Sequence, residues 1–176
     1  MTHLSVRELE ERDIELITDY WLNSPPEYLT GMGVDLTKMP NRDEWTEFLS
    51  EQLKQTYKDK KSYCIIWEVN GKPIAHCNAN KIVFGDKAYM HLHIWEAENR
   101  KKGLGTAFLK RTIPRFFANL QLNKLYCETY ESNAAPGKAL LKTGFKLINK
   151  YVSTPGWLNF EQPVNLWELG LKDLAI

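Results

Sequence analysis

The chain has 176 residues, of which 43% are hydrophobic and 26% are charged, and its formal net charge at pH 7 is +1. This length and composition are typical of one globular domain with a sizeable core. The near-neutral balance argues against nucleic acid or an anionic membrane as the main partner. The sequence shows neither a secretory leader nor an apolar run long enough to span a membrane. We therefore expect a single domain over residues 1–176 that works in the cytoplasm.

The first third of the chain predicts one strand and two helices separated by a loop. Residues 4–9 alternate apolar and polar side chains, as a half-buried strand does. Asp13 is placed to cap a short helix with one apolar side. Residues 23–41 are rich in proline and glycine, which predicts a loop with room for one helical turn. The apolar side chains of this loop indicate that it covers something, and residues 42–57 read as an amphipathic helix.

Three antiparallel strands are predicted next. Residues 62–69 are rich in β-formers, and residues 72–83 return after Asn70-Gly71, a dipeptide that suits a type I′ turn. A second turn precedes a strand over residues 87–95. The hairpin and the third strand predict an antiparallel part of a sheet.

The second half of the chain predicts helices and strands in alternation. Residues 103–120 follow a helical pattern in which the apolar face changes at Pro114, where we expect a kink or a split. Further segments follow: strands over 124–129, 145–152 and 164–169, and a helix over 133–142. This order favours a mixed α/β sheet in one domain.

The three cysteines, Cys64, Cys77 and Cys127, are widely spaced, odd in number and embedded in apolar runs. Disulfide frameworks and zinc sites need paired or closely spaced ligands. The pattern predicts reduced cysteines in the core and no metal site.

The most informative segment is Arg100-Lys101-Lys102-Gly103-Leu104-Gly105-Thr106, which joins the predicted strand 87–95 to a predicted helix. Two glycines allow close approach of a ligand, and a helix N-terminus supplies free amides and partial positive charge, which predicts an anion site. The spacing lacks the Gly-Lys-Ser/Thr of a P-loop. A dinucleotide fingerprint is also excluded, because Phe108 stands where the third glycine is needed.

The order Arg-x-x-Gly-x-Gly between a strand and a helix resembles the acyl-CoA loop of the GNAT N-acetyltransferase superfamily. A second segment, residues 133–145, resembles the GNAT pattern of Asn, a short helix and then Gly-Phe at the start of a strand. Within the superfamily, it looks most like the branch that contains the ribosomal-protein N-terminal acetyltransferases. The resemblance covers residues 62–152 well. It implies the GNAT fold, a mixed and mostly antiparallel sheet flanked by helices, with acetyl-CoA as co-substrate and no metal.

The resemblance also implies roles for individual residues. A bulged and splayed fourth strand should offer main-chain groups to the pantetheine arm, and the loop amides should wrap the pyrophosphate. The Asn133 side chain should reach the pantetheine, although a plain helix cap explains it equally well. The implied cofactor-binding residues are Ile94, Trp95, Arg100, Lys101, Lys102, Gly103, Leu104, Gly105, Thr106, Asn133 and Lys138.

Acetyl transfer requires that the amine loses a proton before it attacks the thioester directly, without a covalent acyl-enzyme. Regular strand geometry puts Tyr89, His91 and His93 on one face. The His-Leu-His arrangement is similar to the paired histidines of arylalkylamine N-acetyltransferases. His91 is the leading proton acceptor, with His93 and Glu96 in reserve, while a purely structural histidine is the alternative. A metal site built from the two histidines lacks a further ligand at suitable spacing.

One position departs from the pattern. Many GNAT enzymes place a tyrosine four residues before the Gly of Gly-Phe as the acid for the thiolate, and this chain has Leu140 there. Either another group such as Tyr130 donates a proton, although aromatic packing is the simpler role for it, or the thiolate leaves unprotonated. The departure keeps open a catalytically silent acyl-CoA-binding module.

The acceptor is expected to be a primary amine on a small molecule or a peptide N-terminus. Its binding falls to the 23–41 loop, the helix after it and residues 153–163. Exposed sheet edges make a homodimer conceivable. Carboxylates that can attract an amine are Glu27, Asp35 and Glu44, and apolar side chains that can line a wall are Tyr28, Met32, Trp45 and Trp157.

Overall fold

A computed structural model describes residues 2–100 and 103–174. Within these residues, seven strands form one sheet in the order β1-β2-β3-β4-β5-β7-β6. The strands are β1 (Leu4–Glu8), β2 (Tyr63–Val69), β3 (Lys72–Val83), β4 (Lys87–Ile94), β5 (Lys124–Tyr130), β6 (Lys146–Ser153) and β7 (Gln162–Gly170). The helices are α1 (Ile14–Asn23), α2 (Pro26–Gly31), α3 (Arg42–Lys54), α4 (Leu104–Leu120) and α5 (Ala135–Lys142).

The predicted mixed and mostly antiparallel sheet is confirmed. Only β4 and β5 run parallel, and their ladder has three pairs, from Lys87 with Lys124 to Tyr89 with Tyr126. The rings of Tyr89 and Tyr126 stack at the last pair, with centroids 5.1 Å apart. Beyond it the two strands part, so the sheet splays as the resemblance implies.

The expected bulge in β4 is not found. The ladder between β3 and β4 is regular from Ala75 with Ile94 to Asn80 with Tyr89, and the irregularity lies between Asn80 and Val83. Because the pairing with β3 is continuous, successive side chains of this part of β4 alternate regularly between the two faces of the sheet. Tyr89, His91 and His93 therefore share one face of the sheet.

The two faces of the sheet carry separate clusters of buried side chains. The face under α4 and α5, called the helix face below, includes Trp67, Met90, Phe108 and Phe116. The opposite face, called the pocket face, is covered by α1, α2 and α3. Its cluster includes Ile17, Trp21, Leu29, Trp45, Leu49, Cys64 and Ile66. The three cysteines are free and buried, as predicted.

The structure corrects the predicted cap at Asp13 and refines two other local predictions. The loop predicted over 23–41 contains α2, which starts at Pro26, a residue well suited to the first helical turn, and a 3-10 turn over Leu36–Lys38. The Asp13 carboxylate does not cap α1, because it accepts two hydrogen bonds from Arg7 at 2.6 and 2.8 Å. Helix α4 continues through Pro114 without being split.

The turn between β2 and β3 is confirmed in detail. Asn70 and Gly71 have φ of 51° and 78°, the left-handed values that a type I′ turn requires. In the described part of the chain, the helices are too short or too polar to cross a membrane.

Candidate active site

The predicted anion site lies at the start of α4. Gly103 precedes the helix with φ of 74°, and in the part of the chain that the structure describes no side chain caps the first turn. A Cβ built on Gly103 or Gly105 would meet no atom of the described residues within 4 Å, so these residues leave the space beside the turn open. Amides of the first helical turn are unpaired within a helix. The geometry suits an anion that approaches the main chain closely, while Lys101 and Lys102 lie outside the described residues.

Arg100 folds back over the end of β4. Its Nε donates to the carbonyl oxygen of Ile94 and its Nη2 donates to that of Trp95, both at 3.1 Å. Its guanidinium lies 4.0 Å from the centroid of the Tyr28 ring. The Trp95 amide donates to the Ile74 carbonyl at 3.0 Å. In this structure Arg100 thus holds the two carbonyl groups that the resemblance assigns to pantetheine.

Asn133 and Lys138 flank the start of α5. The Asn133 Oδ1 accepts a hydrogen bond from the Ala135 amide at 3.3 Å, which is the local turn contact of the capping alternative. Lys138 is exposed in the first turns of α5. Leu140 is fully buried in the core of the helix face, which leaves no acid at that position.

A cavity of about 910 Å³ occupies the pocket face. Side chains of β3, β4 and β5 form its floor, and α1, α3 and residues 155–159 form its walls. Of the predicted wall residues, Met32, Trp45 and Trp157 line it, as does Glu44. Segment 23–41 contributes to the wall, in agreement with its predicted covering role.

The remaining acceptor candidates have other surroundings. Tyr28 packs under Arg100, and Asp35 accepts hydrogen bonds from the amide and hydroxyl of Thr37. Glu27 is exposed on α2. These side chains do not join the lining of the cavity.

His91 lies on the cavity floor. Its Nε2 is buried and has no hydrogen-bond partner among the described residues. Burial, together with the charge of Lys81 and against the opposing effect of Glu128, lowers the pKa of His91 to about 4. The imidazole is therefore neutral near pH 7, with an unengaged nitrogen.

His93 is engaged by its neighbours. Its Nδ1 lies 3.3 Å from the Tyr20 hydroxyl, and its ring packs against Trp21 with centroids 4.7 Å apart. Burial, with contributions from His76 and His91, holds its pKa well below the usual value. His76 accepts a hydrogen bond at Nδ1 from the Trp95 indole at 2.7 Å, and burial lowers its pKa to about 3. These contacts support a packing role.

Glu96 lies apart from the histidines. It follows the end of β4, pairs with Lys72 at 3.0 Å and accepts a hydrogen bond from the Asn99 amide group at 3.0 Å. It does not line the cavity. The structure therefore brings His91 and His93 together and leaves Glu96 outside.

Glu128 is a cavity residue that the sequence analysis did not single out. Its side chain is only 2% exposed, it pairs with Lys81 at 3.3 Å, and it accepts a hydrogen bond from the Tyr151 hydroxyl. It lies on β5 just past the point where β4 and β5 part. The signal was a carboxylate inside an apolar strand, where ionised groups are rare unless paired. Tyr130, two residues on, also lines the cavity and packs edge-on against Phe160.

The sequence was compared with protein-family models, curated proteins and solved structures. It matches the model of the acetyltransferase (GNAT) domain over residues 3–146. The chain belongs to the GNAT acetyltransferase family. The search of curated proteins found no significant match.

Several solved structures share the fold of this GNAT protein at low identity. Spermidine N-acetyltransferase from Vibrio cholerae, in complex with CoA and spermine, has a TM-score of 0.78 and 18% identity, covering 97% of this chain and 96% of that one. Mycobacterium smegmatis RimJ, in complex with CoA-disulfide, has a TM-score of 0.78 and 13% identity, and the match covers 98% of this chain and 84% of that one. Aminoglycoside acetyltransferase AAC(6')-Ib, in complex with coenzyme A and kanamycin, has a TM-score of 0.73 and 15% identity, and the match covers 97% of this chain and 96% of that one. These likenesses confirm the GNAT fold.

Among residues 2–100 and 103–174, no group of three or more His, Cys, Asp or Glu side chains is placed to hold a metal ion.

Proposed function

We propose that this GNAT protein transfers an acetyl group from acetyl-CoA to a primary amine bound in the cavity of the pocket face. The observation that carries the proposal is the parting of β4 from β5 after Tyr89 and Tyr126. His91 on β4 and Glu128 on β5 lie on the cavity floor just beyond this opening, and α4 begins in the chain segment that follows β4. The similar structures hold amines, spermine in one case and kanamycin in another.

The cofactor side of the proposal rests on main-chain groups. The uncapped first turn of α4 and the open space beside Gly103 and Gly105 suit the pyrophosphate. The end of β4 suits the pantetheine arm once Arg100 has moved from the Ile94 and Trp95 carbonyls to the phosphates. The proposed ligands are those that the resemblance implies: Ile94, Trp95, Arg100, Lys101, Lys102, Gly103, Leu104, Gly105, Thr106, Asn133 and Lys138.

The amine must be deprotonated before it attacks. A free alkylamine is only ~0.1% neutral at pH 7, so a nearby proton acceptor increases the reactive fraction. His91 is neutral and its Nε2 is unengaged, so this nitrogen can accept the proton. Because its pKa is about 4, the imidazole accepts the proton as the nitrogen bonds to the thioester carbon and becomes more acidic, and it then passes the proton to water; the negative charge of Glu128 favours the transient imidazolium.

The other side of the reaction is the departing thiolate. With Leu140 in the core, this chain leaves the thiolate unprotonated or uses the phenol of Tyr130, which lines the cavity. A thiol with a pKa of about 8.5 is a tolerable leaving group near neutrality. Holding the amine beside the thioester supplies much of the remaining acceleration.

Leu140 also favours a second candidate, an acyl-CoA-binding module without catalysis. The two are separated by measuring the thiol released from acetyl-CoA against a panel of amines, amino acids and short peptides, with mass spectrometry of the product. Amine-dependent thiol release with an N-acetylated product supports the transferase. Tight CoA binding in calorimetry without turnover on any amine supports the module.

A further inference from the structure

We infer that the acceptor is a small monoamine with an aromatic body rather than a polyamine or an aminoglycoside. The inference rests on the proposed function, because it concerns the amine in the same cavity. It is carried by the aromatic wall of the cavity, by its balance of charges and by its unpaired polar atoms.

The wall is built from flat aromatic rings. Trp45 stacks on Trp21 with an interplanar angle of 9° and centroids 5.8 Å apart. Trp157 is tilted against Trp45 at 5.5 Å and against Phe48 at 6.1 Å. Trp157 remains 52% exposed, although exposed tryptophan is uncommon. An aromatic ligand can stack on rings arranged in this way in an offset geometry or contact them edge-on.

The charges of the lining disfavour several cations. Lys38, Lys61 and Lys81 line the cavity, against only two carboxylates, Glu44 and Glu128. Both carboxylates are already engaged, since Glu44 accepts a hydrogen bond from the Asn41 amide at 2.8 Å and Glu128 pairs with Lys81. A polyamine or aminoglycoside would bring several ammonium groups without carboxylates to receive them, and like charges in a confined site are repulsive.

The unpaired polar atoms mark where a small ligand can hydrogen-bond. Among the described residues, four buried side-chain atoms lack a partner, and three of them belong to lining residues. These are the Trp45 Nε1, the Asn80 Oδ1 and the His91 Nε2. A buried polar group without a partner is costly, so a ligand that pairs with it gains affinity. The Asn80 Oδ1 and the His91 Nε2 can both accept from the N–H groups of one amine, while the Trp45 indole can donate to the ligand, which fits a molecule with a single amino group.

The test compares kcat/KM for tryptamine and phenethylamine with that for spermidine, kanamycin and a short peptide with an aromatic N-terminal residue. We expect the aromatic monoamines to exceed the others by at least about tenfold. Preferred acetylation of spermidine, kanamycin or the peptide would overturn the inference and leave the acetyltransferase function intact. Calorimetry with the CoA-bound protein measures tryptamine binding separately, so tryptamine binding without turnover would contradict the proposed function and leave the aromatic monoamine only as a ligand of the cavity. Absence of tryptamine binding would overturn the inference.

Two variants test the two features of the cavity. Trp157 is half-exposed and belongs to neither buried cluster, so Trp157→Ala should leave the fold in place. It should raise the KM for tryptamine about tenfold with the KM for acetyl-CoA unchanged. Leu147→Ala, which shortens an exposed side chain of β6, is the control and should change neither KM.

Lys81→Gln removes the cation that pairs with Glu128 and should shift the selectivity in kcat/KM toward spermidine. Lys110→Gln, on the surface of α4, is the control and should not change this selectivity. Unchanged KM in Trp157→Ala, or unchanged selectivity in Lys81→Gln, would count against the inference.

Discussion

The two faces of the sheet are made by alternate residues of the same strands, yet they differ in kind. On the helix face, Ala88 and Met90 are fully buried against side chains such as Phe108. On the pocket face, His91 and His93 alternate with them and line a cavity. One face is filled by apolar packing and the other keeps polar atoms without partners. The comparison indicates that one strand can serve stability and chemistry on alternate residues, so changes on each face should have separable effects.

The largest effect should come from His91→Ala on the pocket face. Loss of the proposed proton acceptor should lower kcat by about 10²- to 10⁴-fold, the usual range for general base catalysis, with CoA affinity retained. Steady-state kinetics and calorimetry with CoA check this. Glu96→Gln and His93→Gln are the matched comparisons, and a larger loss of kcat in either than in His91→Ala would move the role to that residue.

Next in size is Gly103→Trp at the start of α4. A large side chain would fill the open space beside the turn and would also strain a φ of 74°, so the Kd for CoA should rise by about a hundredfold, or ~2.7 kcal/mol. Gly71→Trp is the control, because Gly71 has a similar φ of 78° and open surroundings but lies in the β2–β3 turn. Equal loss of CoA affinity in both folded variants would argue against the loop.

Two neutral histidines of the pocket face, His76 and His91, should make the protein sensitive to acid. The folded pKa of His76 is about 3 and that of His91 about 4, both below the ordinary value near 6.5. The unfolded chain therefore binds more protons below pH 6.5, and the free energy of unfolding should fall by about 1.4 kcal/mol per pH unit for each histidine between pH 6.5 and its folded pKa. Urea unfolding at pH 7 and pH 5 measures the slope.

The control for this acid sensitivity is a pair of variants. His76→Gln should reduce the slope, because it removes one histidine whose pKa differs between the folded and unfolded states. A glutamine oxygen can still accept the Trp95 indole hydrogen, so the packing is kept. His3→Gln, in the exposed N-terminal segment, should leave the slope unchanged. A slope that is the same in His76→Gln as in the wild type would contradict the assignment.

The smallest effect is expected on the helix face, where Thr112→Val should change stability alone. The Trp67 indole donates to the Thr112 hydroxyl at 2.8 Å in a fully buried setting. Without this acceptor the unfolding free energy should fall by about 1–2 kcal/mol, the cost of an unpaired buried donor. Denaturant unfolding gives the change, and kcat and KM at a temperature where both proteins are folded should agree within about twofold. A lower kcat in the folded variant would show that the faces are coupled.

Local signals were sufficient for most elements of the fold. The Asn70-Gly71 dipeptide specified its turn, and strand alternation placed His91 and His93 on one face. A carboxylate inside an apolar strand marked Glu128 only as a group that needs a partner, and its place beside the cavity depends on where β5 leaves β4. The folded-back position of Arg100 also depends on Tyr28, which is distant in sequence.

The parting of β4 and β5 after Tyr89 and Tyr126 has a consequence for engineering this protein. Each further ladder pair would add hydrogen bonds and raise thermal resistance. The same pairs would consume main-chain groups proposed for the pantetheine arm and narrow the passage to the histidines. Selection for thermal stability at this junction should therefore yield proteins with a higher melting temperature but a lower turnover rate, a trade-off common at functional sites.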